Sequence, residues 1–131
     1  LTSRGLGDVY KRQGICLGMQ LLCNTSEEGN TQGLNIFSCD VRKFTNKLKV
    51  PQMGWNIIKN LKGPLYEKIE NSYVYLVHSY YVPVIKSTIS VTDYGLEYSS
   101  AIQKDNFFGV QFHPEKSSKV GSSILKNFLN L

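Results

Sequence analysis

The 131-residue chain reads as an α/β domain, a mixed sheet with helices at its two ends. Three observations predict this. A glycine-bounded turn, Gly14-Ile15-Cys16-Leu17-Gly18, runs straight into a pattern of helical period. From Leu34 onward, short runs rich in Val, Ile, Tyr and Phe are separated by Gly, Pro, Asn or Asp, as strands are. The chain closes on Val120–Leu131, where Val120, Ile124, Leu125, Phe128 and Leu129 share one face of an amphipathic helix.

Taken in order, residues 1–13 (LTSRGLGDVYKRQ) show neither a period of 2 nor of 3.6, and no run suited to a buried strand. In GICLGMQLLC, helical spacing puts Leu17, Gln20, Leu21 and Asn24 on one face. Asn24–Gly33 is polar and rich in turn formers, so a loop is expected. Strands are expected at Leu34–Cys39, Val41–Phe44, Trp55–Ile58, Tyr73–Val77, Thr88–Thr92, Tyr98–Gln103 and Phe107–Phe112. Gly63–Ile69 reads as a short helix with Pro64 in its first turn.

Composition narrows the class. Hydrophobic residues at 41% and charged residues at 19% support a packed core. No apolar run approaches the roughly 20 residues that cross a bilayer, and residues 1–13 lack the apolar centre of a signal peptide. A soluble, cytoplasmic protein with no membrane partner is expected. The formal charge is +5, but Arg4, Lys11 and Arg12 against Asp8 supply part of it, and the remaining lysines are scattered. Nucleic-acid binding calls for a clustered basic face, so none is expected. Cys16, Cys23 and Cys39 are odd in number and irregular in spacing. That suits neither a disulfide framework nor a zinc site, and leaves room for a nucleophile.

Gly14–Gly18 has the form G-x-C-x-G, the cysteine version of a nucleophile elbow, in which a strained strand-to-helix turn lifts the reactive atom out of the sheet. Both glycines are expected to permit unusual backbone angles and close approach of neighbouring chain. A helix starting after Cys16 would lower the thiol pKa below its free value of about 8.5. The Leu17 N–H would face a developing oxyanion. Taken alone, the motif equally fits a tight turn holding a structural cysteine.

Phe107–Glu115, FFGVQFHPE, supplies the complement. An apolar strand runs out into His113, Pro114 and Glu115. In extended chain, residues i and i+2 point the same way, so the carboxylate can flank the imidazole. Pro114 keeps His113 out of the helical region. Glu115 on one ring nitrogen leaves the other to accept the Cys16 proton, the nucleophile–base–orienter relay. Alone, H-P-E also fits a solvated pair at a strand end. His78, inside the aromatic stretch YVYLVHSYY, has no acid within two residues; a packing or backbone-positioning role is expected for it.

Together, GICLGMQLL, PQMGWN, VYLVHSYYVP and FFGVQFHPEKS resemble the class I (triad) glutamine amidotransferases, and within them the glutaminase subunits of imidazole glycerol phosphate synthase. The resemblance runs from about Gly14 to Leu131. It implies a class I amidotransferase-like mixed sheet flanked by helices, with Cys16, His113 and Glu115 as the triad and the Leu17 N–H as an oxyanion donor. It implies Gln20, Ser79 and Tyr80 as glutamine-binding residues, and Trp55, Asn56, Tyr75 and Lys116 as positions facing a (β/α)8 cyclase subunit in a heterodimer. Glutamine would be hydrolysed to glutamate and ammonia, the ammonia passing to the cyclase for histidine biosynthesis. No metal or organic cofactor is implied. One departure is Gln52 in PQMGWN, where the family usually carries His, so titration is lost at that position.

The resemblance also implies strand–helix units before the elbow, including a Gly-rich loop with a second oxyanion donor, and residues 1–13 match none of them. They read as an artefactual segment joined at about Gln13, with residues 14–131 the C-terminal part of the amidotransferase domain. Other readings of the same motifs are an amidotransferase of the anthranilate or guanylate type, and an inactive fragment that keeps only its partner-binding face.

Overall fold

The computed structural model describes residues 12–45 and 47–131. In chain order these form β1 (Arg12–Ile15), α1 (Leu17–Leu21), β2 (Cys23–Ser26), β3 (Thr31–Gln32), β4 (Phe37–Lys43), β5 (Gln52–Ile58), β6 (Ser72–His78), β7 (Tyr80–Tyr81), β8 (Thr88–Asp93), β9 (Glu97–Lys104), β10 (Phe107–Val110) and α2 (Ser118–Leu129). Short 3₁₀ turns lie at Glu28–Asn30, Pro64–Tyr66 and Pro114–Lys116. The mixed α/β class expected from the sequence is what these elements make.

The central sheet has the order β1-β10-β9-β8, with β1 parallel to β10 and the other pairs antiparallel. A second sheet, β3-β2-β4-β7, lies beside α1. Strands β5 and β6 form a two-stranded ribbon with Gln52 opposite His78 and Trp55 opposite Tyr75. Two isolated bridges, Lys59 to Val91 and Val82 to Ser99, join the ribbon and β7 ends to the central sheet.

Two cores follow from the apolar patterns. One gathers Leu76 and Val74 of β6, Phe108 and Val110 of β10, Phe112, and Ile124 of α2. The other packs Met19 and Leu22 against Phe37, Val41, Val82 and Ile102. Tyr66 carries its hydroxyl into the first, where it meets Ser90 at 2.7 Å, and Ser90 meets Ser100 at 2.8 Å. Buried hydroxyls are thereby satisfied in pairs, as burial requires.

Several boundaries differ from expectation. Arg12 and Gln13 are strand, not structureless, because pairing with Phe107 and Phe108 defines β1 where period and apolarity do not. The remainder of the N-terminal segment, residues 1–11, lies outside the described residues. The expected loop Asn24–Gly33 contains β2 and β3, since Thr25 and Ser26 pair with Gln32 and Thr31. Thr25 Oγ1 further donates to Asp40 at 2.6 Å. Leu34–Cys39 and Val41–Phe44 merge into the single strand β4. Gly63–Ile69 reaches only a 3₁₀ turn. No helix among the described residues is long and apolar enough to cross a membrane.

Helix α2 is tied to the ribbon through Ser117, which is fully buried. Its Oγ donates to the His113 carbonyl at 2.6 Å and accepts the Tyr75 N–H at 2.9 Å. The His113 N–H in turn donates to the Tyr75 carbonyl at 3.0 Å. Replacing Ser117 by Ala leaves the Tyr75 N–H without its partner and takes one of two donors from the His113 carbonyl, which keeps the Lys116 N–H at 3.0 Å. Ser117→Ala is therefore expected to destabilise the chain by about 1–3 kcal/mol, measured by urea denaturation.

Candidate functional site

Strand β1 ends at Ile15 and α1 begins at Leu17, which leaves Cys16 alone in the turn at φ 53° and ψ −110°. Positive φ is uncommon for a residue with a Cβ and is tolerated where surroundings over-determine it. They do so here. The Cys16 N–H donates to the Val110 carbonyl at 2.8 Å, and its own carbonyl accepts from Met19 and Gln20 at 3.1 and 3.4 Å.

Gly14 is required by this packing. A Cβ there would stand 2.5 Å from the Gly18 carbonyl and 2.7 Å from the Met19 nitrogen, all backbone atoms. The same requirement was expected at Gly18, but a Cβ there meets open space. The unusual backbone angle falls on the cysteine itself rather than on either glycine.

The Cys16 sulfur lies 3.6 Å from the Val77 carbonyl and 3.7 Å from Gln111 Nε2. Burial pushes the thiol pKa up; the Leu17 N–H and the Gln111 amide oppose that, and the Glu115 and Glu28 carboxylates add to it. The net direction is upward, opposite to the lowering expected from a helix N-terminus. Helix α1 spans five residues, so few aligned peptide dipoles act against the desolvation.

His113 is extended, at φ −98° and ψ 98°, as a residue before proline should be. Its Nδ1 lies 2.9 Å from Glu115 Oε2. An extended chain would set the two on one side through their i, i+2 spacing. The structure brings them together through the 3₁₀ turn Pro114–Lys116 instead. A carboxylate accepts only, so Nδ1 carries the proton and Nε2 is left as the base. Slight desolvation raises Glu115, but the His113 hydrogen bond and its own backbone N–H outweigh it and hold the carboxyl below the usual range. Because Ile15 pairs with Val110 in parallel register, Cys16 and His113 both leave the sheet at the same edge.

A cavity of about 210 Å³ opens at the sulfur, lined by Cys16, Leu17, Gln20, Glu28, Val77, His78, Ser79 and Tyr80. Five expected residues therefore meet in one place: Cys16, Leu17, Gln20, Ser79 and Tyr80. A neighbouring cavity of about 260 Å³ shares Leu17, Gln20 and Glu28 but not the thiol. Gln20 is buried, and its Nε2 donates to the Tyr80 carbonyl and to Gln111 Oε1, both at 3.0 Å. With both N–H bonds committed, the amide oxygen is what Gln20 can offer a ligand.

Two residues were missed. Glu28 is the one carboxylate among those lining the thiol cavity; it was hidden in a stretch read as loop. Gln111 is completely buried, and its signal was available as the lone amide in the apolar run FFGVQF.

The residues expected at a partner surface divide. Trp55 and Tyr75 stand together, ring centroids 6.0 Å apart at 73°, on the ribbon face that also exposes Met53 and Tyr73. Asn56 faces the other way. Its Nδ2 donates to the Asp93 carbonyl at 2.9 Å and its Oδ1 accepts the Ile57 N–H at 2.7 Å. Lys116 is exposed and close enough to Glu115 to help hold that carboxylate ionised.

His78 plays the backbone-positioning part expected of it. Its Nδ1 lies 2.7 Å from the Tyr80 carbonyl, while Nε2 meets Gln52 Oε1 at 2.9 Å and the Tyr98 hydroxyl at 3.2 Å. Burial pushes its pKa down to about 4, with the Tyr80 carbonyl opposing and the His113 charge adding to the fall. The folded ring is neutral where an unfolded one, at about 6.5, would be charged. Its contribution to stability is therefore whole above that pH and lost as pH falls toward 4. The urea midpoint should drop across this window, and the His78 Cε1–H resonance should show no protonation until below about pH 5; titration near 6.5 would refute the buried neutral ring.

The chain is similar in sequence and in fold to known proteins. The family model described as glutamine amidotransferase class-I matches residues 12–131. The imidazole glycerol phosphate synthase subunit HisH of Bacteroides fragilis is 53% identical over 122 residues, covering 90% of this chain and 62% of that protein. The subunit of the same name from Buchnera aphidicola is 55% identical over 123 residues, with the same shares covered. The chain thus spans about 62% of the length of these relatives. Among solved structures, a putative GMP synthase protein from Thermoplasma acidophilum superposes with a TM-score of 0.67 at 18% identity, over 92% of this chain and 56% of that one. At that identity the likeness speaks for the fold.

Proposed function

The chain belongs to the class I glutamine amidotransferase family, and from that premise we propose that it is the catalytic part of the glutaminase subunit of an imidazole glycerol phosphate synthase. Residues 14–131 would be the C-terminal part of the amidotransferase domain. The observation that carries the activity is the strained Cys16 turn at the same sheet edge as the His113–Glu115 pair, 2.9 Å apart. Identity above 50% to subunits named HisH supports this branch over an anthranilate or guanylate type.

In this reading His113 Nε2 takes the Cys16 proton as the sulfur attacks the side-chain amide carbon of glutamine. The Leu17 N–H meets the oxyanion that forms there. His113 then returns the proton to the departing nitrogen, giving ammonia and a thioester. Water, deprotonated by the same imidazole, releases glutamate and restores the thiol. Glu115 holds the imidazole in the required tautomer throughout. Glu28, beside Ser79 and Tyr80 in the cavity wall, offers the carboxylate that an α-ammonium group would seek, and the Gln20 oxygen offers a second acceptor. Pairing of Glu28 with that ammonium would also remove one of the charges that raise the thiol pKa, so the bound substrate itself favours the thiolate.

The partner reading rests on the ribbon. Met53, Trp55 and Tyr73 are more than half exposed on one face, and aromatic and Met side chains are enriched at protein interfaces. The ribbon face ends at Val77, whose carbonyl touches the thiol. We assign this face, with Tyr75, to a (β/α)8 cyclase that would receive the ammonia, with Lys116 at its margin, Asn56 on the opposite face of the ribbon, and the whole reaction in the cytoplasm.

Ammonia release from glutamine should be assayed with the full-length parent protein and its cyclase partner. Cys16→Ala is expected to abolish turnover, a loss of at least about 1,000-fold as for other lone nucleophile deletions. Retention of activity by that variant would defeat the proposal, as would copurification with an anthranilate-type synthase in place of a cyclase.

A further inference from the structure

Gln111 has no part in the relay described above, yet it is completely buried and lies between the nucleophile and Gln20 of the cavity wall. Its Nε2 is 3.7 Å from the Cys16 sulfur, and its Oε1 accepts the second N–H of Gln20 at 3.0 Å. Its backbone N–H donates to the Ser100 carbonyl at 2.8 Å, so the main chain behind it is held by β9.

The direction of this chain of bonds is set at its far end. The Tyr80 carbonyl accepts from Gln20 Nε2 at 3.0 Å and faces His78 Nδ1 at 2.7 Å. A carbonyl oxygen cannot donate. Gln20 must therefore turn its nitrogen toward Tyr80, its second N–H toward Gln111 Oε1, and Gln111 must then turn its own nitrogen toward the sulfur. Each amide has two possible orientations in isolation; here the backbone selects one for both.

We propose that Gln111 is a positioning residue that presents an N–H to the Cys16 sulfur and, through the same amide, holds Gln20 in its ligand-facing orientation. One side chain thus joins the nucleophile to the wall of the substrate cavity. The coupling to glutamine rests on the function proposed above; the contact with the sulfur does not. A donor at the sulfur favours the thiolate over the thiol, against the burial and the Glu115 and Glu28 carboxylates that oppose it. The other titratable groups around the site are His113, beyond the end of β10, His78, on β6, and Tyr80, on β7.

Two substitutions separate the roles. Gln111→Met keeps the volume and removes both polar ends; Gln111→Glu keeps the shape but turns an acceptor toward the sulfur. The rate of Cys16 alkylation by iodoacetamide against pH reads the thiol in the full chain without needing glutamine turnover. The midpoint is expected to move upward by about one unit in Gln111→Met, and further in Gln111→Glu, so alkylation at neutral pH slows by about tenfold or more, one pKa unit being a factor of ten. With the parent protein and its partner, KM for glutamine should rise along with the fall in kcat, because Gln20 loses its anchor.

An unchanged midpoint in a folded variant, with activity reduced, would mean that Gln111 only fills space, and would overturn the proposal. If wild type alkylates as described but does not hydrolyse glutamine, the glutaminase reading fails while the sulfur contact stands. Should both variants fail to fold, the Gln111 side-chain amide resonances of the unsubstituted protein decide. They must shift with the same midpoint as alkylation, and resonances indifferent to the thiol would overturn the proposal.

Discussion

The parallel pairing of β1 with β10 is the constraint on which the site depends. Register places Ile15 opposite Val110, and the Cys16 N–H continues the ladder one residue further onto the Val110 carbonyl. Cysteine and histidine, 97 residues apart in sequence, thereby leave the sheet at one edge without any direct bond between them. The same ladder bond holds Cys16 at positive φ. Gly14 lets the first turn of α1 lie close enough for the bond to form. Removing the pairing would release both the strain and the juxtaposition.

A second organising element is the Tyr80 carbonyl. It sits in a two-residue strand of little intrinsic stability, but it receives the Gln20 amide and faces the His78 ring. Neutral His78 must use Nδ1–H for that carbonyl, which leaves Nε2 as an acceptor. Two acceptors, His78 Nε2 and Gln52 Oε1, thus converge on the one proton of the Tyr98 hydroxyl, at 3.2 and 2.7 Å. Sharing that one proton ties ring, amide and phenol to one another, and a buried polar network of this kind couples its members. The amide at position 52 supplies a hydrogen-bonding partner without a proton that titrates near neutrality.

The sequence disclosed the chemistry better than its placement. The elbow, H-P-E and the strands β5, β6, β8 and β9 were legible because motif and period-2 patterning coincide there. Residues Arg12 and Gln13 were not, since β1 is defined by its neighbour and not by its own composition. Thr25 to Gln32 was read as loop for a related reason: β2 and β3 are polar and held by backbone pairing and the Thr25–Asp40 contact. Glu28 was lost with them. The direction of the thiol pKa was misjudged because helix length and burial, not the motif, set the balance between dipole and desolvation. Asn56 beside Trp55 looked like one surface in sequence, whereas strand alternation sends the two to opposite faces.

The β5–β6 ribbon shows why these pieces form one unit. On its inner face, Gln52 and His78 are paired across the strands and carry the buried polar network. On its outer face, Met53, Trp55 and Tyr73 are exposed. The two faces meet at consecutive residues of β6: the Val77 carbonyl touches the Cys16 sulfur, and the His78 ring faces the carbonyl that orients Gln20. Tyr75, two residues earlier, accepts the His113 N–H at its carbonyl and donates its own N–H to the Ser117 hydroxyl. A strand rises about 3.3 Å per residue with alternating faces, so a shift of β6 along its axis would move the thiol contact, the Gln20 anchor and the His113 turn together. The three contacts therefore depend on the axial position of one strand.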